Sequence, residues 1–244
     1  VITFDDGYED NLTNALPILE KYHVPATIFV STGQILKKKM MWWDELYELT
    51  VEKNNNKFIV IQDDVFGCKW KTDGYQMKLN CYFAIHKLMN HYISLQKKEE
   101  WMNQLREQVS LREHSDDYNL LTPVQLKTLS KSGLITIGGH SVSHMSLGKM
   151  TEDQQEMEIR ENVIQLQEIV SEKITTFSYP FGTVGVDFNM YTQEVCQKYG
   201  IRKAATTERK VWRNGEDNWA VPRCEVKNWN EKEFVCQLKQ LWRK

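Results

Sequence analysis

Val1-Ile-Thr-Phe-Asp5-Asp6-Gly7-Tyr8-Glu9-Asp10 is the stretch on which the reading of this chain turns. Four strand-forming residues run straight into two adjacent carboxylates and a glycine. Neighbouring carboxylates at a strand end repel each other, so their presence calls for a reason. An Asp-Asp-Gly turn on a solvated loop is one. A division of labour is another, with one oxygen ligand for a metal and one free base beside it.

The chain that follows alternates strand and helix signals. Asn14 is expected to cap a short helix that tolerates Pro17 in its first turn and buries Leu16, Ile18 and Leu19. Pro25 stops it, and Ala26-Thr-Ile-Phe-Val30 reads as a buried strand. Thr122-Pro123-Val-Gln125 is a capping box with proline at the first helical position. That helix ends at Gly133, and Leu134-Ile-Thr-Ile137 forms a strand leading into Gly138-Gly139-His140. Thr151 and Gln154 make a second box, before a helix whose stripe is Ile159, Val163, Leu166 and Val170. Strands are expected at 175–178, 203–206 and 220–226, with a helix near 191–199. Asn230 and Glu233 open a last amphipathic helix carrying Phe234, Leu238 and Leu241. Such alternation predicts a parallel α/β architecture, with polar clusters at strand ends where these folds place their chemistry. The pattern alone does not separate a barrel from an open sheet.

Residues from about 45 to 120 break this rhythm. Phe58-Ile-Val-Ile61 and Cys68-Lys-Trp70 suit a hairpin. Asp73 is expected to cap a helix with Leu79, Phe83 and Leu88 on its apolar face. Ser94 is expected to cap another, with Trp101, Leu105 and Val109 on one stripe. This hairpin-plus-helices segment reads as an insertion within a single domain spanning 1–244.

Bulk properties narrow the function classes. The chain is 41% hydrophobic and 26% charged, and its net charge of -2 is spread along its length, so there is no footprint for nucleic acid. No apolar run approaches the roughly 20 residues of a transmembrane segment. Five cysteines, odd in number and without a Cys-x-x-Cys pair, argue against a disulfide scaffold or a zinc ribbon and favour a reducing compartment. The chain begins at Val1, already inside a strand, and reads as the remainder of a longer polypeptide.

Two further stretches carry chemistry: His140-Ser-Val-Ser-His144 and Phe177-Ser-Tyr179-Pro180-Phe181-Gly182. One helical turn between His140 and His144 would point both imidazoles the same way. Two neutral imidazoles and one carboxylate make a three-ligand metal site with open positions. The last stretch, taken alone, is a good turn.

Together and in this order, the three stretches resemble the polysaccharide deacetylase family (the NodB-homology domain). The resemblance implies a distorted parallel (β/α) barrel with fewer than eight complete βα units. It implies metal ligation by Asp6, His140 and His144, with Ser141 steadying the loop. The ion is expected to be a single divalent one, zinc first, with other divalent transition metals as alternatives. Asp5 takes the family's role of catalytic base, in line with the chemistry of a carboxylate beside an activated water; a second metal ligand is its alternative role. The backbone N–H of Tyr179 is the family's oxyanion donor. Gly7, Tyr179, Pro180, Trp43 and Trp219 are expected to meet substrate, although Gly7 equally suits a plain turn.

The chain departs from the family pattern in two ways. One common version of the third motif has arginine ahead of the proline, where this chain has Ser178. In a related branch the arginine comes from a later Pro-Arg pair, matched here by Pro222-Arg223. Arg223 is then expected to keep Asp5 ionised and oriented, with a surface salt bridge as the competing reading. Many members also carry a C-terminal histidine that protonates the leaving amine. No histidine follows His144 here, and His23, His86, His91 and His114 match no family motif. The general acid is left unassigned.

The resemblance implies a metal-dependent hydrolase that removes an N-acetyl or N-formyl group from an amino sugar, in a polysaccharide, oligosaccharide or glycan precursor. A carbohydrate-binding relative that has lost turnover is the alternative, raised by the absent histidine. A two-His-one-carboxylate iron oxygenase is a third. Of the insertion's tryptophans, Trp42 and Trp43 lie at its junction and are candidates for a groove wall, whereas Trp101 suits a small core.

Overall fold

A computed structural model describes residues 1–64, 67–91, 94–109 and 118–242. In chain order the elements are β1 (Ile2–Phe4), α1 (Leu16–Tyr22), β2 (Ala26–Val30), α2 (Thr32–Lys37), α3 (Trp42–Tyr47), β3 (Phe58–Ile61), β4 (Cys68–Lys71), α4 (Tyr75–His91) and α5 (Leu95–Gln108). They continue with α6 (Pro123–Ser130), β5 (Ile135–Gly139), α7 (Glu152–Val170), β6 (Thr176–Ser178), α8 (Met190–Lys198), β7 (Lys203–Ala205) and α9 (Glu231–Trp242). The chain divides into two compact units, one of 1–39 with 120–244 and one of 40–119.

In the first unit, five parallel strands run in the order β1-β2-β5-β6-β7 and curl into a distorted half-barrel. Ile28, Val30, Ile135, Ile137, Phe177 and Ala204 are buried in its core, with Leu126, Ile159, Val163, Leu166 and Val195 of the surrounding helices. Both expected capping boxes are present, at Thr122/Gln125 and Thr151/Gln154, and each fixes where its helix begins. Strand β5 ends in glycines because its neighbours come too close for a side chain. A Cβ on Gly139 would lie 2.6 Å from Asn162 Oδ1 and 2.7 Å from the Phe177 ring.

The unit of 40–119 has its own core, built on Leu46, Ile59, Ile61, Ile85, Met89, Trp101 and Leu105. Strands β3 and β4 form the expected antiparallel hairpin. Ser94 caps α5, accepting from Lys97 N, and Trp101, Leu105 and Val109 are buried as their spacing required. Trp101 fills this core and donates its indole N–H to Asp63. No helix among the described residues is long and apolar enough to cross a membrane.

Four local expectations fail, each for a physical reason. Asn14 caps nothing, because it lies inside a π-helical turn, Asn11–Ala15, that runs directly into α1. Ile18 is exposed while Leu16 and Leu19 are buried, since residues two apart on a helix point to different faces. Phe83 is exposed for the same reason: α4 buries Cys81, Ile85 and Met89 instead, at four-residue spacing. The stretch 220–226 is no strand. Val221 alone bridges to Ala205, because Pro222 has no N–H for a ladder and Arg223 N donates to Glu208 O. Helix α9 does open at Asn230 and Glu233, which bond reciprocally, but it buries no residue.

Candidate active site

The loops after β1 and β5, the end of β6 and the segment beyond β7 supply one cluster of side chains. Asp6 Oδ1 lies 3.3 Å from His140 Nε2 and 3.1 Å from His144 Nε2, and the three ligand atoms all fall within 4.8 Å of one another. Tetrahedral zinc, with bonds of about 2.0–2.2 Å, holds its ligand atoms roughly 3.3 Å apart, so the spacing fits a small divalent cation. The Asp6 atom supplies a second test. Oδ1 is buried, and no donor among the described residues meets it with hydrogen-bond geometry. Such an acceptor is rare unless a cation completes it. Burial pushes the Asp6 carboxyl up, but the His144 charge and contacts with both imidazoles outweigh it and hold the group well below the usual carboxylate range.

The histidines converge by a different route from the helical turn expected. Residues 140–144 form an irregular loop in which Ser141 and His144 take positive φ, 60° and 52°, and Asp6 opposite has φ 74°. Non-glycine residues enter this region only when surrounding structure compels them. Several bonds do so. Ser141 Oγ accepts from His144 N at 3.1 Å, the steadying role its position implied. Ser31 Oγ donates to the His140 carbonyl at 2.9 Å. Asn162 accepts from His140 N at 3.0 Å and donates to the carbonyls of Val30 and Ser141 at 3.0 and 2.7 Å. Glu158 Oε2 accepts from Val142 N and Ser143 N at 2.9 and 2.8 Å.

His140 Nδ1 lies 2.6 Å from the Ser178 carbonyl. A carbonyl can only accept, so Nδ1 carries the proton and Nε2 keeps its lone pair toward Asp6. Burial alone would lower the His140 pKa, but the adjacent carboxylates of Asp6 and Asp5 raise it above the usual value.

Asp5 is held differently from its neighbour. Arg223 grips both of its oxygens, Nη1 to Oδ1 at 2.7 Å and Nη2 to Oδ2 at 2.8 Å. The guanidinium also donates to Thr3 Oγ1, Ser178 Oγ and the Thr206 carbonyl, and it lies over the Phe29 ring at 5.5 Å. With 17% of its side chain exposed, Arg223 is no surface salt bridge. Ser178, standing where the common motif has arginine, accepts from Arg223 and donates to Asp5 Oδ2 at 3.3 Å. Asp5 Oδ2 is 4.0 Å from His140 Nε2. Burial raises the Asp5 carboxyl, but the Arg223 bonds and the nearby positive charges prevail and keep it below its ordinary value.

The remaining expected residues fare unevenly. The Tyr179 amide already donates to the Ala205 carbonyl at 3.2 Å, while its buried ring stacks on Phe188 and its hydroxyl donates to the Trp219 carbonyl. Pro180 is buried beside it. Gly7 has φ 84°, and a Cβ there would meet Val30 and Ile35 at 3.2 Å, so its bare Cα serves a turn against the core. Trp219 packs against the core and gives its indole N–H to Ile201 O. Trp43 belongs to the other unit, edge-on to Trp42 at 5.6 Å. His23 caps α1 in a left-handed conformation, His86 stacks on Trp42, and His91 ends α4. His114 lies outside the described residues.

Sequence reasoning missed Ser31, Glu158 and Asn162. A signal existed for two of them: Glu158 and Asn162 are one helical turn apart and directly precede Ile159 and Val163 of the apolar stripe, where solvated polar residues are not expected.

Known proteins resemble this chain in sequence and in fold. The family model described as polysaccharide deacetylase matches residues 1–55 and 74–204. The "Putative polysaccharide deacetylase YxkH" of Bacillus subtilis is 23% identical over 226 residues, 93% of this chain. The chain spans 50% of the length of that curated relative. Among solved structures, the Streptococcus pyogenes deacetylase PplD in complex with acetate aligns with TM-score 0.58 at 16% identity, covering 96% of this chain and 68% of its own. IcaB from Ammonifex degensii aligns with TM-score 0.57 at 17% identity, covering 100% and 72%. At these identities the structural likeness is one of fold.

The bond to Ser178 predicts that neutral His140 exists as the Nδ1-protonated tautomer. Long-range ¹⁵N–¹H NMR of the metal-stripped protein, above the imidazole's titration, should give a protonated-type shift at Nδ1 and a lone-pair shift at Nε2. The reverse assignment would refute the orientation.

Proposed function

This chain belongs to the polysaccharide deacetylase family, and on that premise we propose that it is a metal-dependent hydrolase removing the acetyl or formyl group from an N-acylated amino sugar. The observation that carries the reading is the unequal treatment of two adjacent aspartates. Asp6 presents an unsatisfied oxygen to two imidazoles, whereas Asp5 has both oxygens gripped by Arg223. Asp6, His140 and His144 would hold one divalent ion, zinc being the natural choice for this donor set. Bound there, it would supply Lewis-acid polarisation of the substrate's acyl oxygen and make water a better nucleophile at neutral pH.

The residues of the chain do the rest. Asp5, kept ionised by Arg223, takes a proton from the attacking water as the new C–O bond forms. The C–N bond then breaks, and the nitrogen needs a proton to leave as an amine. That proton comes back from Asp5, or from the substrate or water, and its delivery to nitrogen closes the cycle. The Ser178 carbonyl holds His140 so that its Nε2 lone pair would be available to the ion. Donation from the Tyr179 amide to the developing oxyanion requires exchange of its bond to Ala205. The unit of 40–119 is read as an insertion on this one catalytic domain, and Trp43 on it as a face for a sugar ring.

The division between the aspartates is directly testable. Asp5→Asn should keep close to one metal per chain while losing roughly 10²–10⁴ in turnover, the usual span for a positioned base. Asp6→Asn should lose metal and activity together. Metal analysis alongside acetate release from a panel of N-acetylated glycans reads both, and equal metal loss in the two variants would defeat the assignment. Wild-type protein that holds metal and glycan but releases no acetate would instead be a binding relative.

The role of Arg223 has a pH signature. Asp5 acts ionised, and Arg223 holds its pKa below the ordinary value, so Asp5 itself should lose its charge only at low pH. Removing the guanidinium in Arg223→Met raises that pKa and should move the acid limb of the pH–rate profile to higher pH. An unmoved limb would confine Arg223 to a structural role.

Trp43→Ala tests the insertion. It should weaken kcat/KM for the true glycan while leaving metal content and folding as in wild type. Unchanged kinetics would remove Trp43 from the substrate site.

A further inference from the structure

Glu158 belongs to none of the three motifs, yet it is buried to 3% exposure on α7, under the loop that carries both histidines. A single oxygen, Oε2, accepts from two consecutive amides of that loop, Val142 N at 2.9 Å and Ser143 N at 2.8 Å. Those amides lie between the two residues of positive φ, Ser141 at 60° and His144 at 52°. The rest of the loop is tied from other directions. Gly33 N donates to the Val142 carbonyl at 2.9 Å, Asn162 and Ser31 donate to the Ser141 carbonyl, and His144 N donates to Ser141 Oγ. His140 is fixed separately, by β5, Asn162 and the Ser178 carbonyl. Along the course from Ser141 to His144, the two middle amides are the ones held by Glu158.

We propose that Glu158 is a positioning residue: by holding the amides of residues 142 and 143 it sets where His144 Nε2 lies with respect to Asp6 and His140, and so sets the affinity of the site for its cation. This rests on the reading of Asp6, His140 and His144 as cation ligands. The geometry makes the acceptor atom the operative feature, and not the charge. Both bonds go to one oxygen, so a glutamine, which also presents one acceptor oxygen at the same reach, replaces glutamate. An aspartate keeps the charge but withdraws the oxygen by one methylene and does not replace it.

The test uses metal-stripped wild-type protein and the variants Glu158→Gln, Glu158→Asp and Glu161→Gln. Glu161 lies on the same helix, half-exposed and paired with Arg160, and serves as control. Zn²⁺ affinity is measured by competition with a chromophoric chelator, Co²⁺ geometry from the visible spectrum, and metal-free melting temperature in parallel. Glu158→Gln and Glu161→Gln should bind Zn²⁺ as wild type does. Glu158→Asp should lose roughly 10–100-fold in affinity, the span seen when a group orienting a metal ligand is lost, with a changed Co²⁺ spectrum. Wild-type affinity in Glu158→Asp, whatever its melting temperature, overturns the proposal, as does an equal loss in Glu158→Gln, which would show that an acceptor oxygen at this reach is not enough. Wild-type protein that binds neither ion removes the cation site itself, and this proposal with it. That outcome is distinct from a site that binds normally in all four proteins.

Discussion

The guanidinium of Arg223 joins the two edges of the curled sheet. It arrives on a segment bridged to β7, at one end of the strand order, and grips Asp5 and Thr3 of β1, at the other. A bidentate arginine–carboxylate pair has a planar geometry that tolerates little displacement, so this contact fixes distance and orientation at once. It also answers the repulsion between Asp5 and Asp6. With one carboxylate neutralised from behind, the other is free to face the imidazoles.

Around that contact, every strand of the curled sheet gives something to one place. β1 delivers the aspartates, β5 delivers His140 and β6 delivers Ser178, whose hydroxyl touches both Asp5 and Arg223 while its carbonyl orients His140. β2 contributes Phe29 beneath the guanidinium, and β7 anchors the segment bearing Arg223. Ser178 is thereby the link between the held carboxylate and the held imidazole. Its hydroxyl receives Arg223, which arrives from the later segment.

Much of the scaffold was legible because its signals are local. Capping boxes at Thr122 and Thr151 depend only on residues three apart, and the stripe of α7 on a helical period. Helix faces were misread where apolar residues outnumbered buried positions, as at Ile18 and Phe83, because only the neighbouring elements decide which face is covered. The segment 220–226 was misread because strand-like composition was weighed above the missing N–H of Pro222. Of the candidate site, the residues with distinctive chemistry in motif order are those the structure brings together: Asp5, Asp6, His140, His144 and Arg223. Gly7 reads equally as a substrate contact or a turn glycine, and the structure gives it the turn geometry; Trp219 packs against the core.

The sequence by itself determined which groups are on hand: two carboxylates at a strand end, two imidazoles four residues apart, an arginine after a proline, and a helical period that puts α7 against the sheet. Those are properties of residue type and spacing, which survive without coordinates. Only the tertiary structure decided how the groups are divided. The imidazoles meet through a left-handed loop and not a helical turn, and no local propensity specifies positive φ at Ser141 and His144. That conformation is held by Ser31, Glu158 and Asn162 from elements remote in sequence, and Asp5 differs from Asp6 only because Arg223 reaches it across the sheet. Such contacts join residues that no window of sequence contains together, so they exist only once the chain has folded.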